Sequence, residues 1–229
     1  MASATTPDGI VYPDASDPIA PLNAVFQDLA ESVQEALDTI VPGVESLPDL
    51  SDVTITSPAD GQLLTYDGAV WVNEVPAVPA GSVLQVVSVT KTDLFTMSSA
   101  TFAPITGYSA TITPSSSSNK ILVLTDLNMN VRSAIVGMVK LFRDAVELGA
   151  GDVAGSRVRA FSGLYTATEG STLVGGSFLD SPATTSALTY SAQIRAASGT
   201  IAINSSGSDS DQSGNARMSS TITLMEVAG

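Results

Sequence analysis

The stretch LNAVFQDLAESVQEALDTI, residues 22–40, limits what this chain can fold into more than any other. Its apolar side chains fall at Leu22, Phe26, Leu29, Val33, Ala36 and Ile40, in steps of four, three, four, three and four. That spacing is a coiled-coil seam, with Phe26, Val33 and Ile40 at a and Leu22, Leu29 and Ala36 at d. Val25 and Leu37 widen the stripe beyond what one partner helix would cover. A helix of about 20 residues is marginal alone in water, so this one needs partners. The simplest partners are copies of itself, and the expectation is a parallel homotrimer. The other reading is an amphipathic helix packed on its own domain, but little nearby sequence offers such cover.

The rest of the first 81 residues reads as short pieces. Residues 1–16 read as an extended anchor, with a turn at Pro7-Asp8-Gly9, a restricted Tyr12-Pro13 step and an apolar patch at Ile10, Val11 and Tyr12. The helical segment, 17–43, opens with Asp17 as N-cap and Pro18 at the first helical position, and stops at Pro42-Gly43. Residues 44–73 then alternate at Val53 and Ile55, Leu63 and Leu64, Val70 and Val72, with turn signals at Asp60-Gly61 and Asp67-Gly68. They predict a small three-stranded β-meander, with Trp71 supplying most of its apolar area. So small a sheet is barely stable alone. Residues 74–81, EVPAVPAG, form a semi-rigid linker.

Residues 82–229 read as one antiparallel β domain. Strands are expected at 83–90, 94–98, 108–113, 120–128, 133–143, 158–161, 172–178, 187–196, 200–204 and 219–227. Turn-rich spacers separate them, and the pattern predicts a two-sheet sandwich of jelly-roll type. Residues 134–147 also fit a helical period through Ile135, Met138, Val139 and Phe142. The fold class is therefore mainly β: a short coiled-coil helix, a small β-meander and a C-terminal β-sandwich.

Composition removes several functions. The chain has no cysteine and no histidine, so disulfides, thiol chemistry, Ser-His-Asp or Cys-His nucleophiles and ordinary zinc sites are excluded. Residues 1–90 carry 13 carboxylates and no basic side chain, and the net charge is −14. Nucleic-acid binding is disfavoured; the excess charge aids solubility or suits a basic docking socket. No apolar run of membrane-spanning length occurs, and the N-terminus lacks the basic and apolar regions of a signal peptide.

Candidate chemistry is sparse. Asp209, Asp211, Ser213, Gly214 and Asn215 fall at calcium-loop positions, but Ser220 stands where that loop needs a bidentate Glu. Asp144 and Glu147 form a possible glycosidase carboxylate pair, with Lys140 and Arg143 as competing ionic partners. Arg157 and Arg159 would share a strand face and meet sugar or lipid anions. Tyr165, Tyr190 and Phe161 could stack on sugars or simply pack. No catalytic residue, cofactor or metal is expected.

Three stretches resemble bacteriophage modules. Tyr12, Pro13, Asp17, Pro18, Leu29, Ala30 and Val33 are similar to the openings of tail and fibre proteins from phages of actinobacteria. The run from Leu50 to Asn73, through Asp52, Val53, Ile55, Pro58, Asp60, Gly61, Gln62, Leu64, Tyr66, Asp67, Trp71 and Val72, resembles a module of phage tail fibres. VLQVVSVTKTD, ITPSSSSNKILV and ITLMEVAG are similar to runs in head- and tail-fibre proteins of tailed phages. The resemblance implies a virion appendage, made in the host cytoplasm. It would be anchored to other virion proteins by its N-terminal region and present its β domain to the host, where a surface glycan is a candidate partner. A capsid decoration or head-fibre protein is the alternative.

Overall fold

The computed structural model describes residues 22–40, 46–132, 135–166, 168–207 and 209–229. The expected anchor at 1–16, the caps Asp17 and Pro18, and the Pro42-Gly43 stop lie outside them. The chain divides between Ala77 and Val78 into two compact units.

In the first unit, helix α1 spans Leu22–Ile40. Strands β1 (Val53–Thr54), β2 (Leu63–Tyr66) and β3 (Trp71–Glu74) follow a single 3-10 turn at Leu47–Asp49. They do not form the expected meander. β2 and β3 make an antiparallel hairpin, but β1 pairs parallel with β3, putting β3 in the centre. The reason is the backbone link from Trp71 N–H to the Asp52 carbonyl at 2.7 Å, which draws β1 to the far edge of β3. Val53 is the buried hydrophobic residue here; Trp71 is 41% exposed and lies tilted against Tyr66, ring centres 5.5 Å apart.

Polar side chains hold this little sheet in place of a core. Asn73 Nδ2 donates to Gln62 Oε1 (2.7 Å) and the Thr56 carbonyl (3.0 Å), and its Oδ1 accepts from Thr56 N–H (2.7 Å). Asp67 Oδ1 accepts from Ala69 and Val70 N–H, closing the turn in which Gly68 adopts φ 106°. Those bonds, first from Val70 and then Ala69, hold the Asp67 carboxyl below its ordinary range.

The second unit contains β4 (Val83–Lys91), β5 (Phe95–Met97), β6 (Ala103–Ile112), β7 (Lys120–Arg132), β8 (Ile135–Arg143), β9 (Val146–Leu148), β10 (Ser162–Thr166), β11 (Gly170–Asp180), β12 (Leu188–Ala196), β13 (Thr200–Ile203) and β14 (Ser220–Val227). One sheet runs β4-β14-β7-β13-β5, with β11 on the other edge of β7; the second runs β10-β8-β12-β6, with β9 beside β8. Every pair within both sheets is antiparallel. Strand β7 is the spine. β11 covers one edge from Ile121 to Val131, while β14 and then β13 share the other.

Both sheets turn apolar residues into one core. Ile121, Val123 and Leu127 of β7 and Leu141 and Ile194 opposite them are fully buried. The burial of alternate residues is the period-2 signature of strands with a shared inner face. It settles the choice over 134–147 in favour of strand β8 and against helix: Gly137, Val139 and Leu141 are buried in alternation. The strand expected at 158–161 does not form. That segment is a loop from which Phe161 packs against the core, and the strand begins at Ser162.

Candidate interaction surface

The heptad residues of α1 form an uncovered stripe. Phe26, Leu29, Val33 and Leu37 are 60%, 49%, 55% and 54% exposed, and Ala36 is exposed beside them. The side chains of Leu22, Val25 and Ile40 lie outside those described. Covering the exposed halves of the four larger side chains would contribute about 4 kcal/mol per chain. None of the described helices is long and apolar enough to cross a membrane.

A second apolar surface lies on the outer face of the six-stranded sheet, where Val86 and Leu179 are exposed and Leu122 and Met225 between them are half-buried. Alternation alone did not single it out. The signal available was the unbroken run Ile121-Leu122-Val123-Leu124, which reads as a strand apolar on both faces.

The charged candidates are engaged in structure. Glu147 pairs with Lys140 at 2.8 Å, whereas Asp144 accepts from Thr189 N–H at 3.0 Å. The expected alternative partner of this pair, Arg143, turns inward to Asp180. Arg143 Nη1 donates to both Asp180 oxygens (2.8 and 2.7 Å), and Tyr190 O–H donates to Oδ2 at 2.7 Å. Tyr190 is thus a core residue and not a stacking platform. Burial, then the hydrogen bond to Asp180, pushes its phenol far above the ordinary range.

Arg157 and Arg159 do not share a strand face. They sit in the loop before β10, and Arg159 Nε donates to the Gly151 carbonyl at 2.6 Å. Tyr165, by contrast, is 72% exposed. Asp209 pairs with Arg217 at 2.6 Å, and Ser220 is buried, donating to Asn204 Oδ1 at 2.6 Å. Among the described residues no group of three or more acidic side chains is placed to hold a metal ion.

The most strongly held carboxylate was not singled out in the sequence. Glu226, buried on β14, accepts at Oε1 from Asn119 Nδ2 (2.6 Å), Ser115 N–H (2.6 Å) and Ser115 O–H (2.7 Å), and at Oε2 from Gln85 Nε2 (2.6 Å). It is a structural knot joining β4, β14 and the loop after β6, with both carboxylate oxygens engaged.

No family model matches the chain, and no curated protein matches it. Among solved structures, the chain is similar to that of the infectious bursal disease virus Gx strain, with 16% identity over 73% of this chain and 46% of that one, at a TM-score of 0.34. It is similar to the T=1 particles derived from the same virus, with 16% identity over 72% and 44% and a TM-score of 0.34. The VP2 subviral particle of that virus gives 11% identity over 76% and 46%, again at 0.34. The chain spans less than half the length of each of these matched chains.

Proposed function

We propose that this protein is a structural component of a tailed-bacteriophage virion: a homotrimeric fibre whose stem is α1 and whose β unit is presented for host-surface attachment. The observation that carries the reading is the exposed stripe of Phe26, Leu29 and Val33 at heptad spacing, widened by Leu37, on a 19-residue helix. A helix this short with an apolar stripe left in water calls for sister helices. The phage-fibre resemblance of residues 12–33 and 50–73 supplies the setting.

The β unit is read as a jelly roll. Its eight main strands, taken in chain order as β4, β6, β7, β8, β10, β11, β12 and β14, fall in the orders first-eighth-third-sixth and second-seventh-fourth-fifth. Two interleaved sheets of this kind serve as viral capsid and lectin domains. The role proposed is adhesion, with a host-surface glycan as ligand class, and not catalysis. In support, Glu147, Asp180 and Glu226 are each tied to a structural partner. Anchoring is assigned to the N-terminal region and to other virion proteins.

The test is imaging of intact particles carrying a tag after Gly229. A few tagged copies projecting from the tail tip or baseplate are expected. Many copies spread over the capsid would assign the chain to head decoration instead, and no tag on particles would end the virion reading.

A further inference from the structure

Strand β2 is an open edge. The small sheet runs β1-β3-β2, and on its far side β2 pairs with no described strand. Such an edge is a row of N–H and C=O groups ready to take another chain, and proteins blunt it with lysine, proline or an inward-pointing charge. β2 reads Leu63-Leu64-Thr65-Tyr66 and carries none of these. Its side chains are uncovered as well: Leu63 is 59% exposed, and Leu64 and Tyr66 are exposed with it.

A cleft lies against the same strand. Leu47, Ile55, Pro58, Leu63 and Leu64 supply its apolar lining, and its volume is about 400 Å³. Gln62 and Asn73 are its polar members. Asn73 is engaged at both side-chain atoms, whereas Gln62 Nε2 has no partner among the described residues and is a donor still to be used. A space of this size takes an anchoring side chain or two, not the face of a domain. Edge and cleft together fit an extended segment that adds a strand to β2 and seats a side chain beside it.

The charges placed around this strand select the segment. Asp60 stands in the turn before β2, Asp67 follows β2 directly, and Glu74 lies opposite Leu63 on β3. Asp49 shares the 3-10 turn with Leu47. No lysine or arginine precedes Lys91, so residues 1–90 hold nothing to neutralise these carboxylates. A second copy's β2 laid on this edge would set Asp60 and Asp67 against their own kind, which destabilises the pairing. Residues 1–46 also bring carboxylates and no base. The β unit ties Lys91, Lys140, Arg143 and Arg217 to carboxylates of its own and carries no basic excess. The counter-charge must therefore come from a different protein.

We propose that β2 and this cleft receive an extended segment of another virion protein, one carrying lysine or arginine beside an apolar anchor. The segment adds to the free edge of β2 through its main chain, its anchor enters the cleft, and its bases meet Asp60, Asp67 and Glu74. Main-chain pairing supplies affinity, while the one-signed rim excludes acidic segments, copies of this chain among them. The inference rests on the virion assignment made above and says where the N-terminal region makes its anchoring contact.

The experiment counts copies of the full chain, tagged after Gly229, on purified particles. Leu63→Lys puts a protecting charge on the edge and at the cleft; Asp60→Lys with Glu74→Lys reverses the rim and leaves the cleft. Each is expected to lower the copies per particle at least tenfold while leaving the sedimenting mass of the free chain unchanged. Emission from Trp71, the single tryptophan, checks that the small sheet still folds. Leu47→Lys, which is 57% exposed and outside the strands, replaces Leu63→Lys if that emission changes. Normal numbers of Leu63→Lys copies on particles overturn the inference and leave the virion assignment standing. Normal numbers of the Asp60→Lys, Glu74→Lys variant overturn it too, because the occupant is then not basic. A changed mass of the free chain in either variant overturns it, because copies then fill the cleft for one another. Particles that carry no wild-type copies end the virion assignment and this inference together.

Discussion

Asn119 and Glu226 are 107 residues apart in sequence and 2.6 Å apart in space, amide nitrogen to carboxylate oxygen. The same Asn119 accepts Gly229 N–H at its Oδ1 (3.2 Å), so the loop after β6 and the end of β14 are held at both of its side-chain atoms. Burial alone would raise the Glu226 carboxyl. The bonds from Asn119, Gln85 and Ser115 outweigh that and hold it at about 2, against an ordinary value of 4.5. The folded form therefore gains full benefit above pH 4.5 and loses it as the pH falls towards 2. The thermal midpoint should fall more steeply across that window in the native chain than in Glu226→Gln. Equal slopes in calorimetry would contradict the assignment.

Removing the acceptor altogether is a separate case. Glu226→Ala leaves donors on Asn119, Ser115 and Gln85 facing a buried gap, and should cost about 3 kcal/mol in denaturant unfolding. Asp180→Ala strands the Arg143 guanidinium and the Tyr190 hydroxyl between the sheets, and should cost at least as much. Tyr190→Phe, which removes only one donor, should cost about 2 kcal/mol.

Two glycines separate a flexible neighbour from a rigid one. A Cβ on Gly137 would stand 2.7 Å from Met129 Sδ, the end of a side chain that can shift. A Cβ on Gly175 would stand 1.8 Å from the Thr125 carbonyl oxygen, which cannot move without parting β11 from β7. Gly137→Ala should cost about 1 kcal/mol and Gly175→Ala about 3 kcal/mol or more, measured as the shift in urea midpoint.

Trp71 is the chain's single tryptophan, so its fluorescence reports the three-stranded sheet alone. That sheet has one buried hydrophobic residue and rests on the Asn73 network. Its fluorescence transition should come at lower denaturant than the far-ultraviolet transition of the β unit. Asn73→Ala should lower the first and leave the second in place. Coincident transitions in both proteins would show that the sheet is not a separate cooperative unit.

The inward and outward sides of β12 were legible because Leu188, Tyr190, Ala192 and Ile194 alternate without a break. The parallel pairing of β1 with β3 was not, since two residues carry no register and the deciding bond, Trp71 N–H to Asp52, is backbone. Residues 158–161 misled because Phe161 is apolar and flanked by candidates for a strand face, yet it reaches the core from a loop. The Glu226 and Asp180 knots were hidden for a different reason: their partners sit on other strands and loops, from 10 to 141 residues away, and no local spacing announces them. The stripe on α1 was visible in sequence as a seam, and the four described larger side chains on it lie in the open.

Sedimentation equilibrium of the full chain at micromolar concentration tests the stem most directly. The account predicts a mass three times that of the chain, falling to that of one chain in Leu29→Asp with Val33→Asp, while the β unit keeps its far-ultraviolet spectrum. A full chain that sediments as a single copy, with its mass unaffected by those substitutions, would contradict it.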